Sequence, residues 1–165
     1  MGIYSGNLGG WLLLLLLFSS TATHALPPPL PDQNGSQIDI SELRGAPLLV
    51  IVVSARKLRH IKGWEEGLRD THPDLVSARV ADVNEEPRPD YEQVSAKLRK
   101  RVPEGVSIMI DLQRLWAQEY QLDTAEPCLL LFTADYELIA QFRGRANKER
   151  LAEVSGLLDE MQVLP

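Results

Sequence analysis

Residues 48–53, LLVIVV, form an unbroken apolar run in which four of the six side chains are β-branched. Such a run reads as a strand, and one with no polar side chain on either face has to be covered on both. That single segment therefore points to a central strand in a sheet with other elements packed above and below it. A second run, CLLLF at residues 128–132, has the same character about seventy-five positions later.

Between and around these runs, strand and helix patterns alternate, which argues for an α/β layout. Residues 57–69 place Leu58, Ile61, Trp64 and Leu68 on one face of an amphipathic helix, with Gly63 and Gly67 lowering its intrinsic regularity. Residues 75–83 read as the next strand, and residues 84–90, with Pro87 and Pro89, as a loop. Tyr91, Val94, Leu98 and Val102 follow helical spacing until Pro103 and Gly105 stop it. Residues 106–111 form a strand and residues 115–120 a short helix. Residues 128–132 and 137–142 then flank a turn at 133–136, giving a hairpin. The last helix, 147–161, buries Leu151, Val154, Leu157, Leu158 and Met161, with Asn147 as its N-cap. Trp64, Trp116, Tyr91, Tyr120 and Tyr136 fall at core-like positions rather than forming a stacking platform.

The N-terminus reads differently. Residues 1–31 contain no Asp, Glu, Lys or Arg, and an apolar block at 11–18 is followed by small residues, including Thr23 and Ala25. This pattern reads as a signal peptide over residues 1–25, an uncleaved anchor being the alternative. Export to a periplasmic or secreted location follows, with contact to a membrane only through that segment. Residues 26–37, opening on LPPPLP, read as a stiff Pro-rich linker, and residues 38–165 as the domain. The net charge of −6 without a basic stripe argues against nucleic acid as a partner. One cysteine, Cys128, allows no internal disulfide, so stability rests on the core. No His or Cys spacing suggests a metal, and no motif calls for a cofactor.

The ordered set of elements resembles the thioredoxin-like superfamily, in particular periplasmic or membrane-tethered redoxins. The resemblance covers roughly residues 38–161. It is carried by Gly45-Ala46-Pro47 before the first long strand, Ser54-Ala55-Arg56-Lys57-Leu58-Arg59-His60 opening the first helix, and Ile108-Met109-Ile110-Asp111 ending a strand. The helix at 115–122, Glu126-Pro127 before the hairpin, and Phe142-Arg143-Gly144 at its end complete it. It implies a three-layer sandwich, a central mixed β-sheet with helices on both faces. It also implies that Lys57 and His60 stand where the family has its Cys-x-x-Cys pair, and that Pro127 is the cis-proline facing that pair. The family's disulfide exchange and peroxidase chemistry both lack their cysteines here.

What remains at that place is a basic cluster, Arg56, Lys57, Arg59, His60 and Lys62, at the start of a helix. Such a cluster suits an anion, a carboxylate or an acidic peptide. A solvated basic turn paired with Glu65, Glu66 or Glu126 accounts for the same residues. The resemblance further implies that Glu126 presents its backbone to an extended peptide. The expected function is thus an exported, non-catalytic domain that binds a protein or peptide in the cell envelope through Arg56, Lys57, Arg59, His60, Glu126 and Pro127. The alternative is residual thiol chemistry at Cys128, whose apolar neighbours otherwise suggest an inert buried thiol.

Overall fold

The computed structural model describes residues 26–43 and 45–163, so the leader expected at 1–25 lies outside the described residues. A short antiparallel pair opens the fold, β1 (Leu30–Pro31) with β2 (Gln37–Ile38), followed by a 3-10 turn at Ile40–Leu43. The rest alternates: β3 (Leu48–Ser54), α1 (Ile61–Arg69), β4 (Val76–Asp82), α2 (Tyr91–Arg99), β5 (Met109–Asp111), α3 (Leu115–Glu119), β6 (Cys128–Phe132), β7 (Leu138–Arg143) and α4 (Lys148–Val163). The five longer strands form one sheet in the order β5-β4-β3-β6-β7. β3 pairs in parallel with β4 and β4 with β5, while β6 runs antiparallel to both β3 and β7. This is the mixed, two-sided α/β sheet that the sequence predicts, with the LLVIVV run at its centre.

All seven residues of β3 are buried. Its even-numbered residues Leu48, Val50 and Val52 pack with Trp116, Tyr120, Leu130 and Phe132 on the α3 side. Its odd-numbered residues Leu49, Ile51 and Val53 pack with Trp64 and Leu68 of α1 and Val154 and Leu158 of α4 on the other. A third cluster holds α2 through Val94 and Leu98 against Ala81 and Ile110. Trp64 is fully buried yet satisfied, because its indole N–H donates to the Gly144 carbonyl at 3.1 Å. Asn147 caps α4 as expected, its Oδ1 accepting from the Arg150 N–H at 2.9 Å. Among the described residues, no helix is long and apolar enough to cross a membrane.

Two expectations need correcting. Residues 26–37 are not simply a tether. Leu30, Asp32 and Gln33 are buried, and Asp32 bridges to Met109 at the open edge of β5. The Gln33 amide donates to the Val106 carbonyl at 2.6 Å and accepts from the Ile108 N–H at 2.9 Å. Tyr91 donates to the Asp32 carbonyl at 2.6 Å, and Arg99 to the Gln33 carbonyl at 2.8 Å. Covering the edge of β5 satisfies backbone groups that would otherwise stay open. The second correction concerns Pro127. The cis peptide among the described residues joins Glu86 to Pro87, whereas Glu126–Pro127 is trans, the isomer an Xaa-Pro bond adopts by default.

Candidate functional site

The carboxyl ends of β3, β4 and β5 converge on the loop that precedes β6, and a buried polar network joins them. Ser54 ends β3, donating its N–H to the Thr124 carbonyl at 3.1 Å and its hydroxyl to Asn84 Oδ1 at 3.0 Å. Asn84 donates onward to Thr124 Oγ1 at 3.3 Å, and the Thr124 hydroxyl donates to Asp82 Oδ2. The other Asp82 oxygen accepts from Arg114 Nε at 3.2 Å. Arg114 reaches it from a left-handed backbone, φ 60°, at the N-cap of α3. Asp111, also fully buried, accepts the N–H groups of Leu115 and Trp116 at 3.0 and 2.9 Å and so fixes the first turn of α3. Burial pushes the Asp111 carboxyl above its ordinary value, against the pull of those two N–H donors. Every member of this network has a partner, so it locks the loop and α3 in place. The sequence reading did not single it out, although polar residues ending otherwise apolar strands were its one visible signal.

The sequence-predicted basic cluster divides across the start of α1. Lys57 sits in a tight turn closed by the His60 N–H donating to its carbonyl at 3.0 Å. Its ammonium donates to the Ala125 carbonyl at 2.5 Å and lies 3.7 Å from the Glu126 carboxylate. Arg145 reaches the other Glu126 oxygen at 3.7 Å, a contact that no local pattern around residue 126 announces. His60 lies on this side too. Burial first, then the positive charges of Arg145 and Arg59, holds its imidazole below the usual value, and its Nδ1 is buried with no hydrogen-bond partner. Both effects favour the uncharged imidazole. Pro127 is buried, its carbonyl accepting from the Gly144 N–H at 2.8 Å, so its ring offers no surface.

Arg56 and Arg59 turn to the other side of α1. Arg56 pairs with Glu85 at 3.1 Å, and Lys62 pairs with Glu66 at 3.4 Å along the helix. Arg59 makes no ion pair or side-chain hydrogen bond among the described residues and lines a groove between α1 and residues 101–108. The six predicted surface residues thus fall into an inward group, in which Lys57 and Glu126 pair beside His60 with Pro127 beneath, and an outward pair.

Cys128 begins β6, opposite Val52, and is 1% exposed. Its thiol lies 3.4 Å from the Asp123 carbonyl and 3.6 Å from the Glu126 carbonyl. Burial pushes it up to about 11, outweighing the nearby Arg143. At neutral pH it is a buried, protonated thiol, so it lacks the properties of a redox nucleophile. Among the described residues, no group of three or more His, Cys, Asp or Glu side chains could hold a metal ion.

No family model matches the chain, and no curated protein matches it. Solved structures do. The pneumococcal exposed lipoprotein thioredoxin Etrx1 from Streptococcus pneumoniae superposes with a TM-score of 0.64 at 12% identity, over 79% of this chain and 98% of that one. The fold is thioredoxin-like. A thiol peroxidase from Chromobacterium violaceum matches with a TM-score of 0.58 at 15% identity, over 83% of this chain and 85% of that one. A secreted Mycobacterium tuberculosis disulfide oxidoreductase homologous to E. coli DsbE matches with a TM-score of 0.54 at 13% identity, over 80% and 94%. Within this thioredoxin-like frame the chain carries a single cysteine, and it lies on β6 rather than at the start of α1.

Proposed function

We propose that this chain is an exported thioredoxin-like domain that binds a protein or peptide partner and carries out no disulfide or peroxide chemistry. The observation that carries the reading is the Lys57 contact with Ala125. Where a redox thiol would need to stand free at the helix start, an ammonium is tied to a backbone carbonyl and flanked by Glu126. The remaining thiol is buried and held protonated. Export is supported by the pattern of residues 1–25 and by the kinship in fold with an exposed lipoprotein and a secreted oxidoreductase. The binding surface we assign is the basic start of α1, with Arg56 and Arg59 as its outward members.

Insulin-disulfide and peroxide reduction assays test the absence of chemistry, with Cys128→Ala as control. Activity at background level in both proteins is expected; turnover that disappears with Cys128→Ala would restore the oxidoreductase alternative. Crosslinking of the chain in its native envelope, followed by identification of what is captured, tests the binding half. A partner whose capture falls with Arg59→Glu is expected, and reproducible recovery of none would remove it.

A further inference from the structure

The sheet is incompletely roofed over β4. α1 and α4 cover β3 and β6, and α2 covers the β5 side, but Ser77 and Arg79 on that face of β4 stay partly exposed. The opening between α1 and residues 101–108 is a groove of about 560 Å³. That lies within the span of ligand sites, roughly 300–1,000 Å³. Leu58, Ile61, Val102, Val106 and Ile108 supply an apolar lining.

The rim is positive on an acidic protein. Six Arg or Lys side chains line the groove against two carboxylates, although the chain carries a net charge of −6. Three of the six are matched internally: Arg56 by Glu85, Lys62 by Glu66, and Arg79 by Glu65 at 2.5 Å. Arg59, Arg69 and Arg101 have no ion-pair partner among the described residues. Guanidinium groups left open beside an apolar surface suit carboxylates, which they can hold with two parallel hydrogen bonds.

The spacing of these three discriminates between ligands. Arg59 and Arg69 stand at opposite ends of the helical stretch, ten residues apart, or about 15 Å at the helical rise. Arg101 stands on the facing wall. A single-headed amphiphile such as a fatty acid would engage one cation at one end and leave the others open. A peptide with carboxylates spread along it meets all three, and about 15 Å corresponds to four or five residues of extended chain.

We propose that this groove receives an acidic peptide segment of a partner protein. Its apolar side chains would lie on Leu58, Ile61 and Val106, and its carboxylates on Arg59, Arg69 and Arg101. This inference rests on the partner-binding reading above and assigns it a place and a chemistry.

The test uses protein expressed from Met1 and a labelled decapeptide in which Glu alternates with Leu and Trp, followed by fluorescence anisotropy. Saturable binding is expected, weakening with ionic strength. It should fall about tenfold or more in Arg59→Glu/Arg101→Glu and in the separate variant Arg69→Glu, and disappear when the peptide's Glu residues are replaced by Gln. Circular dichroism confirms that each variant is folded, and Glu153→Arg, at an exposed position of α4 outside the groove lining, should leave binding intact. Absence of saturable binding, or binding indifferent to the arginine reversals, overturns the groove. Displacement by decanoate overturns the peptide as occupant. Capture of an envelope partner that is unaffected by the arginine reversals but lost with Glu126→Arg would sink the groove while leaving the partner-binding function standing.

Discussion

The Lys57 ammonium donates to the Ala125 carbonyl oxygen at 2.5 Å, joining the start of α1 to the loop before β6 across 68 positions of sequence. The turn that holds Lys57 is closed by the His60 N–H at 3.0 Å. A turn of this kind brings positions 57 and 60 within the Cα separation that a disulfide spans, about 4.4–6.8 Å. Lys57→Cys/His60→Cys, in a Cys128→Ala background, is therefore expected to oxidise to an intramolecular disulfide. Thiol titration before and after mild oxidation checks it, and two thiols surviving oxidation in the folded protein would show the turn to be wrongly placed for the bond.

Thr124 and Asp82 are both buried, at 1% and 0% exposure, and the Thr124 hydroxyl donates to the Asp82 carboxylate. Thr124→Val keeps the shape of the side chain and removes the donor, leaving a carboxylate oxygen underbonded in the interior. A loss of about 2 kcal/mol in urea unfolding is expected. A change of a few tenths would mean that the network gains a substitute donor.

Cys128 gives a pH signature. Its folded pKa, raised to about 11, exceeds the ordinary thiol value of 9.0. Between those values the unfolded chain releases the thiol proton while the folded protein retains it. The contribution is thus full below pH 9 and is lost as pH rises toward 11. Cys128→Ala should flatten the alkaline limb of the stability profile relative to wild type over this window. The same burial predicts that iodoacetamide labels Cys128 at pH 8 far more slowly than it labels the urea-unfolded chain, which mass spectrometry can follow.

Two glycines in α1 should respond in opposite directions. A Cβ on Gly67 would come within 2.5 Å of Leu151 Cδ1 on α4, whereas one on Gly63 meets only Ala146 Cβ at 3.5 Å. Gly63→Ala is expected to raise stability by about 0.5–1 kcal/mol through helix propensity. Gly67→Val is expected to lower it by about 1–3 kcal/mol through overpacking. Thermal melts of the two variants report both signs, and stabilisation by Gly67→Val would mean that Leu151 yields freely. What reads in the sequence as two helix-weakening glycines is, at one of them, the space into which α4 packs.

Apolar patterning alone points to the architecture. The LLVIVV and CLLLF runs could be buried only at the centre of a two-sided sheet, and the spacing of Ile61, Trp64 and Leu68 fixed which face of α1 meets it. Composition sets the chemical limit, since a chain with one cysteine holds no dithiol pair. These properties are local or compositional, so periodicity and residue counts express them. Long-range packing set the rest. It folded Asp32 and Gln33 of the Pro-rich segment onto the edge of β5, sent Lys57 to Ala125 while Arg59 faced a groove, and placed Arg101 opposite Arg69. Those outcomes depend on hydrogen bonds and charges between residues tens of positions apart. No repeat in the sequence announces such contacts; only the packing of the sheet's layers brings the partners within reach.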